Sequence, residues 1–254
     1  MPVQTNLITT IAVYYQLSRI LFPVLIFSFC GEIMAQNLVQ NPSFEEFVDF
    51  SKNYDSAWHK VQESDTPDYF NFSSAHSHNN IYHKYMGNIA PGTGDGFVGI
   101  FCYRYSSIRG VRDIREFIES PLLKKLEKDS VYKIELSLRL DTESNLAIRN
   151  FGILFSKNLT SKNPEFDPFH IEPQVQFNST LLDSTGMWMT LRKLYKADGT
   201  ETNIVLGNFM PDRKTQKRNV YYKKERGKRY KWDLVEREKA AYYYIDDVIV
   251  EKIK

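Results

Sequence analysis

Only two cysteines occur in 254 residues, Cys30 and Cys102, and that scarcity excludes a scaffold stapled by several disulfides. An excess of one charge is also missing. The 33 Lys and Arg against 31 Asp and Glu leave a formal net charge of +2, so the chain as a whole is not a polyanion binder by net charge. Catalytic signatures are absent: there is no G-x-S-x-G elbow, no H-E-x-x-H pair and no phosphate-cradling glycine motif. Adjacent carboxylates exist at Glu45 and Glu46 and at Asp246 and Asp247. Neighbouring positions on a strand face opposite ways, so neither pair is expected to flank one bond. A non-enzymatic role follows as the expectation, with a glycan-active enzyme built on carboxylates from two strands left open.

What is present begins with one apolar run. Arg19 is the only charged residue before Glu32, and it precedes Ile20–Phe29, a stretch of signal-peptide length and too short to cross a bilayer. Residues 1–35 therefore read as a cleavable signal peptide, and 36–254 as the mature domain with no transmembrane span. Cleavage after Ala35 fits Ile33-Met34-Ala35, although the large Ile33 leaves a site one or two residues away open. In the alternative, an uncleaved anchor, Arg19 would interrupt the apolar stretch that starts at Leu7, at a cost. Bulky Phe29 disfavours lipidation of Cys30. The destination is periplasm, outer-membrane surface or medium, and Cys102 remains there alone as a small buried hydrophobe.

Aromatic residues make up 14% of the chain, with 16 Tyr and 17 Phe, and they suit half-buried pleated surfaces. Strands are predicted at 97–103, 131–140, 150–155, 187–194, 203–207 and 242–250. In Val131–Leu140 the residues Tyr132, Ile134, Leu136, Leu138 and Leu140 share one face, while Lys133, Glu135 and Arg139 share the other. Turns are expected at Pro91–Gly96, Asp183–Gly186 and Ala197–Thr200. Arg112–Lys128 carries Ile114, Phe117 and Ile118 at helical spacing, but Pro121 breaks it, and a strand-plus-turn reading is equally open. The pattern predicts an all-β sandwich.

Asn37-Leu-Val-Gln-Asn-Pro-Ser-Phe-Glu-Glu46, followed by a tryptophan, and the closing Ala241–Val250 resemble the first and last strands of galactose-binding-like jelly rolls, which include many carbohydrate-binding modules. Thr66–Phe70, Gly94–Ile100, Arg115–Ile118 and Gly207–Phe209 resemble a domain of exported Gram-negative bacterial proteins, one that sometimes precedes a domain of the outer membrane protein A type. The resemblance spans about 37–250. It implies a jelly-roll β-sandwich, and no second domain is expected, so a wall-anchoring role is not carried over. It also implies a structural calcium where the first and last strands meet, with Glu45 and Asp246 as carboxylate ligands and backbone carbonyls near Thr93–Phe97 completing the shell.

A sugar partner requires exposed aromatics, because a pyranose stacks its C–H face on a ring. Tyr69, Tyr82 and Tyr85 are the candidates; Trp58 and Trp188 are expected to fill the space between the sheets. Residues 213–231 hold ten Lys or Arg against Glu225 alone, which leaves the rest of the chain net acidic. They form a basic hairpin or loop insertion at about 211–233, with Lys223, Lys224, Arg226 and Arg229 as contacts for an anionic surface. Export argues against nucleic acid as the partner. His76, His78 and His83 lie in a polar stretch and are read as loop residues rather than metal ligands. The expected function is a non-catalytic exported module for a carbohydrate or cell-envelope glycan. The alternative is a structural or adhesion protein that engages another protein or an anionic surface through the basic loop. Saturable binding that survives salt would distinguish the first from the second.

Overall fold

A computed structural model describes residues 36–50, 57–72, 90–106, 111–220 and 238–254. The chain divides into Met1–Met34 and Ala35–Lys254, and the described residues all lie in the second unit. The expected signal peptide and its cleavage site fall outside them. No helix among the described residues is long and apolar enough to cross a membrane.

The fold is an antiparallel jelly-roll β-sandwich. In chain order the strands are β1 (His59–Lys60), β2 (Asp68–Asn71), β3 (Gly96–Ser106), β4 (Val111–Ile114), β5 (Ile118–Pro121), β6 (Val131–Leu140) and β7 (Leu146–Ile148). They continue with β8 (Phe151–Ser156), β9 (Val175–Phe177), β10 (Met189–Lys196), β11 (Asn203–Gly207), β12 (Lys217–Asn219) and β13 (Glu238–Lys252). One sheet runs β10-β6-β13-β3-β2, with β4 also paired to β3; the other runs β1-β5-β11-β8-β9. Short 3-10 turns at Thr160–Lys162 and Pro168–His170 lie between β8 and β9.

The alternation read in β6 is realised residue by residue, with Tyr132, Ile134, Leu136, Leu138 and Leu140 all buried. They meet Ile153 and Phe155 of β8 and Ile204 and Leu206 of β11 in one core between the sheets. Each such side chain contributes about 1.5–3 kcal/mol by leaving water. Trp58 is fully buried in that core and donates its indole N–H to the Asn41 carbonyl at 3.1 Å. Cys102 is buried there too, and burial pushes its thiol well up, so it is an inert hydrophobe.

The N-terminal segment joins the last strand. Leu38 N–H donates to Val250 O at 2.9 Å, and the Asn37 side chain accepts from Val250 N and donates to Val248 O, both at 2.9 Å.

Of the two readings open for 112–128, strand-plus-turn is the one adopted: the stretch is extended at β4 and β5, with Ile118 and Phe117 in separate buried clusters on opposite faces of the sheet. One expectation is corrected. Trp188 lies outside the sandwich. It packs edge-on against Phe97 at 6.0 Å on the outer face of the six-stranded sheet and donates to Ala90 O at 3.0 Å. Of the basic insertion expected at about 211–233, the described part is the turn Pro211–Lys214 and β12, which pairs with β7; the rest lies outside the described residues.

Candidate functional site

The two acids implied as calcium ligands converge on one loop. Asp246 Oδ2 accepts the backbone N–H groups of Gly92 and Thr93 at 2.8 and 3.1 Å. Glu45 accepts from Asp95 N at 3.0 and 3.1 Å and from Gly96 N at 3.1 Å. Gly94, at φ +55°, permits this approach, since a Cβ there would fall 2.1 Å from Glu45 Oε1.

Asp247 departs from the strand geometry assumed above. A register shift between Asp246 and Ile249 marks a bulge, and Asp247 takes φ +52°. Both carboxylates consequently turn to the same loop, where Asp247 Oδ1 also accepts from the Thr93 hydroxyl. Burial, and then the neighbouring Asp247 charge, push the Asp246 carboxyl up to about 7. All donor atoms here are hard oxygens of the kind calcium takes, but amide protons already occupy them. Among the described residues no three His, Cys, Asp or Glu side chains are grouped as metal ligands.

Tyr69 stands at this same end of the sandwich. It is half-buried on β2, meets exposed Phe47 edge-to-face at 5.2 Å, and its hydroxyl accepts weakly from Asn71 Nδ2 at 3.4 Å. Burial raises its phenol. Tyr82 and Tyr85, the basic-segment residues Lys223, Lys224, Arg226 and Arg229, and His76, His78 and His83 lie outside the described residues.

Another open feature lies elsewhere, on the outer face of the five-stranded sheet. There a groove of about 850 Å³ is walled by the segment from Ser156 to Ile171. Its apolar lining comes from Leu154 of β8 with Leu159, Phe166 and Ile171; Phe166 and Ile171 pack against the buried cluster of Val61, Phe117, Leu154, Val205 and Phe209. Asn158, Asn163 and Ser156 line it with exposed or half-buried amides and a hydroxyl, Asn203 and Thr160 lie buried in its lining, and Lys157 and Lys162 also line it. Apolar ring contact beside several amide and hydroxyl groups is what a neutral sugar chain requires.

One buried carboxylate sets the groove wall. Glu119, on β5 and wholly inaccessible, accepts Thr160 N and Thr160 Oγ1 at 2.7 Å each and Ser161 N at 3.0 Å. Across the strand pair it faces His59, whose imidazole is lowered chiefly by burial. Neither Glu119 nor Phe166 was among the sequence candidates. The one hint was the polar run Asn158–Pro164, unusually rich in Asn, Ser and Thr beside an apolar strand.

No protein-family model and no curated protein matches this chain. Several solved structures are similar to it. The xylan-binding CBM22-1 domain of Paenibacillus barcinonensis Xyn10C is 12% identical, with 87% of this chain and 96% of that one covered at a TM-score of 0.43. A CBM4 structure is 16% identical, covering 84% and 99% at 0.40. The K1 cleaved adhesin domain of Lys-gingipain from Porphyromonas gingivalis is 10% identical, covering 82% and 95% at 0.44. At such TM-scores these likenesses carry no weight for the ligand, which must be argued from this chain's own groove.

Proposed function

We propose that this protein is a non-catalytic, exported binding module whose ligand is a carbohydrate or cell-envelope glycan, held in the groove between β8, β11 and the 157–171 segment. The observation that carries the reading is Phe166 in one groove with Leu154, Ile171 and the exposed amides of Asn158 and Asn163. An apolar floor supplies the stacking surface, and amides can both donate to and accept from sugar hydroxyls. Tyr69 and Phe47, at the opposite kind of surface beside Glu45 and Asp95, are a second aromatic contact in this proposal and not its centre. A structural calcium at Glu45 and Asp246, its shell completed by backbone carbonyls, belongs to the same proposal, as a brace for the Gly92–Gly96 loop rather than as a ligand contact.

Affinity electrophoresis against a panel of neutral and acidic polysaccharides tests it. Retardation by at least one polymer that persists at high salt is expected, with roughly a tenfold weakening in Phe166→Ala, the scale of a lost aromatic contact. Binding to none, or undiminished binding by Phe166→Ala, would remove the groove from the account.

A further inference from the structure

A second, smaller pocket of about 440 Å³ opens on the far side of the segment that walls the groove. It is lined by Arg112, Asp113, Asp167, Phe169, His170 and the turn Pro211–Lys214. Its three acids each have partners within the protein. Asp212 Oδ1 pairs with the Arg115 guanidinium at 2.8 Å, and Asp212 Oδ2 accepts Asp113 N at 3.1 Å. Asp113 Oδ1 in return accepts Asp212 N. Asp167 accepts Phe169 N at 2.9 Å and meets His170 Nδ1 at 2.7 Å. The cations are left over: Arg112, Arg213 and Lys214 are exposed, and none has an ion-pair partner among the described residues.

The pocket is also rigid. Arg115 is only 4% exposed, and besides Asp212 it donates to Ile114 O at 2.7 Å and to Met210 O and Thr215 Oγ1 at 3.2 Å. Asn208, fully buried, ties the same turn to Cys102 O at 2.8 Å and to Met210 N at 3.0 Å. The backbone of the turn that carries Arg213 and Lys214 is thus held in place beside Arg112, so the three cations converge on one opening without the turn having to be ordered by a ligand.

We infer that this pocket binds an oxyanion, and that the anion is the carboxylate, sulfate or phosphate substituent of an acidic glycan. The class of ligand rests on the groove reading above. One stretch links the two features, since Phe166 and Ile171 line the groove while Asp167, Phe169 and His170, between them in sequence, line the pocket. Phe169 offers the ring beside the cations that a charged sugar residue uses. The groove then holds the neutral part of the chain and the pocket selects its charge.

Two measurements on the full chain test this. Inorganic sulfate, titrated at constant ionic strength against chloride, should raise the unfolding midpoint of the wild type and not of an Arg112→Ala/Arg213→Ala variant. Isothermal titration with a polyuronate and its carboxyl-reduced neutral counterpart should show at least a tenfold preference for the acidic polymer. The double variant should lose that preference and keep its affinity for the neutral polymer. A variant with Lys223, Lys224, Arg226 and Arg229 changed to Ala should retain it. Equal affinity for the two polymers, or a preference abolished by the four-residue variant and kept by the double variant, overturns the inference. The two readings fail separately. Sulfate protection without any polymer binding supports the pocket and removes the groove, whereas neutral-polymer binding with neither acidic preference nor sulfate protection keeps the groove and removes the pocket.

Discussion

Glu119 accepts both the backbone N–H and the hydroxyl of Thr160, each at 2.7 Å, so a carboxylate buried in the five-stranded sheet fixes the wall of the groove. Glutamine at this position can accept through one oxygen only, and its amide N–H₂ would face donors. Glu119→Gln is expected to destabilise the fold by about 1–3 kcal/mol, the cost of a buried donor left unmet. Hydrogen exchange separates local from global effects. Thr160 and Ser161 amides should lose protection by more than those of β6, and glycan affinity should fall with them; equal loss everywhere would make Glu119 a general core residue.

Three buried carboxyls give the protein a pH signature. Burial is the largest cause in each case, and it pushes Asp65, Asp141 and Asp246 all up to about 7. In the unfolded chain they titrate near the ordinary value of about 3.9. The folded state therefore prefers their protonated form, and their contribution is fully present below about pH 4 and is lost as pH rises through about 7. A lower unfolding midpoint at pH 8 than at pH 5.5 is expected. Asp141→Asn keeps an acceptor for the Tyr244 hydroxyl, now at 3.1 Å, and should narrow the gap. A gap of unchanged size in that variant would show that Asp141 does not titrate in this range.

Calcium would act on the third of these groups. An ion held by Asp246 and Glu45 must displace the amide contacts of Gly92, Thr93 and Asp95, and it would offset the repulsion between Asp246 and the neighbouring Asp247. The proposal predicts a higher midpoint in calcium than in chelator, by about 2.7 kcal/mol of stability at a hundredfold excess over Kd. Glu45→Gln and Asp246→Asn should remove the response. An unchanged midpoint would leave the amide contacts as the whole role of these acids.

Legibility in the sequence follows how regular the local physics is. β6 and β11 were readable to the residue, because a half-buried strand writes its period directly and a short buried one ends at its turn residues. Val131–Leu140 and Asn203–Gly207 needed nothing distant to be recognised. Trp188 was misplaced because alternation tells which residues share a face but not which face another layer covers. Asp246 and Asp247 were misjudged because the bulge that turns them to one loop is set by pairing with β6, a contact more than a hundred residues away. The groove was invisible for a related reason: its floor is a strand face and its wall a loop without period, joined by contacts such as Glu119 to Thr160 that are distant in sequence.

Tyr242 lies across Gly99 on the neighbouring strand and donates its hydroxyl to Asp68 at 2.7 Å. A Cβ at Gly99 would fall 2.2 Å from that hydroxyl oxygen and 2.5 Å from the ring, with Phe101 packed beyond it at 4.8 Å. The ring cannot retreat without opening the aromatic layer of Phe70, Phe97 and Tyr244 on the outer face. Gly99→Ala should therefore destabilise by about 1–3 kcal/mol, the range of overpacking in a filled core. Tyr242→Phe alone removes one hydrogen bond to a charged group, about 1.5–3 kcal/mol. In the double variant the clash with the hydroxyl is gone while that with the ring remains, so the two losses should sum to more than the measured total. Denaturant unfolding of the four proteins measures this directly, and strict additivity would mean that Gly99 makes room for something other than Tyr242.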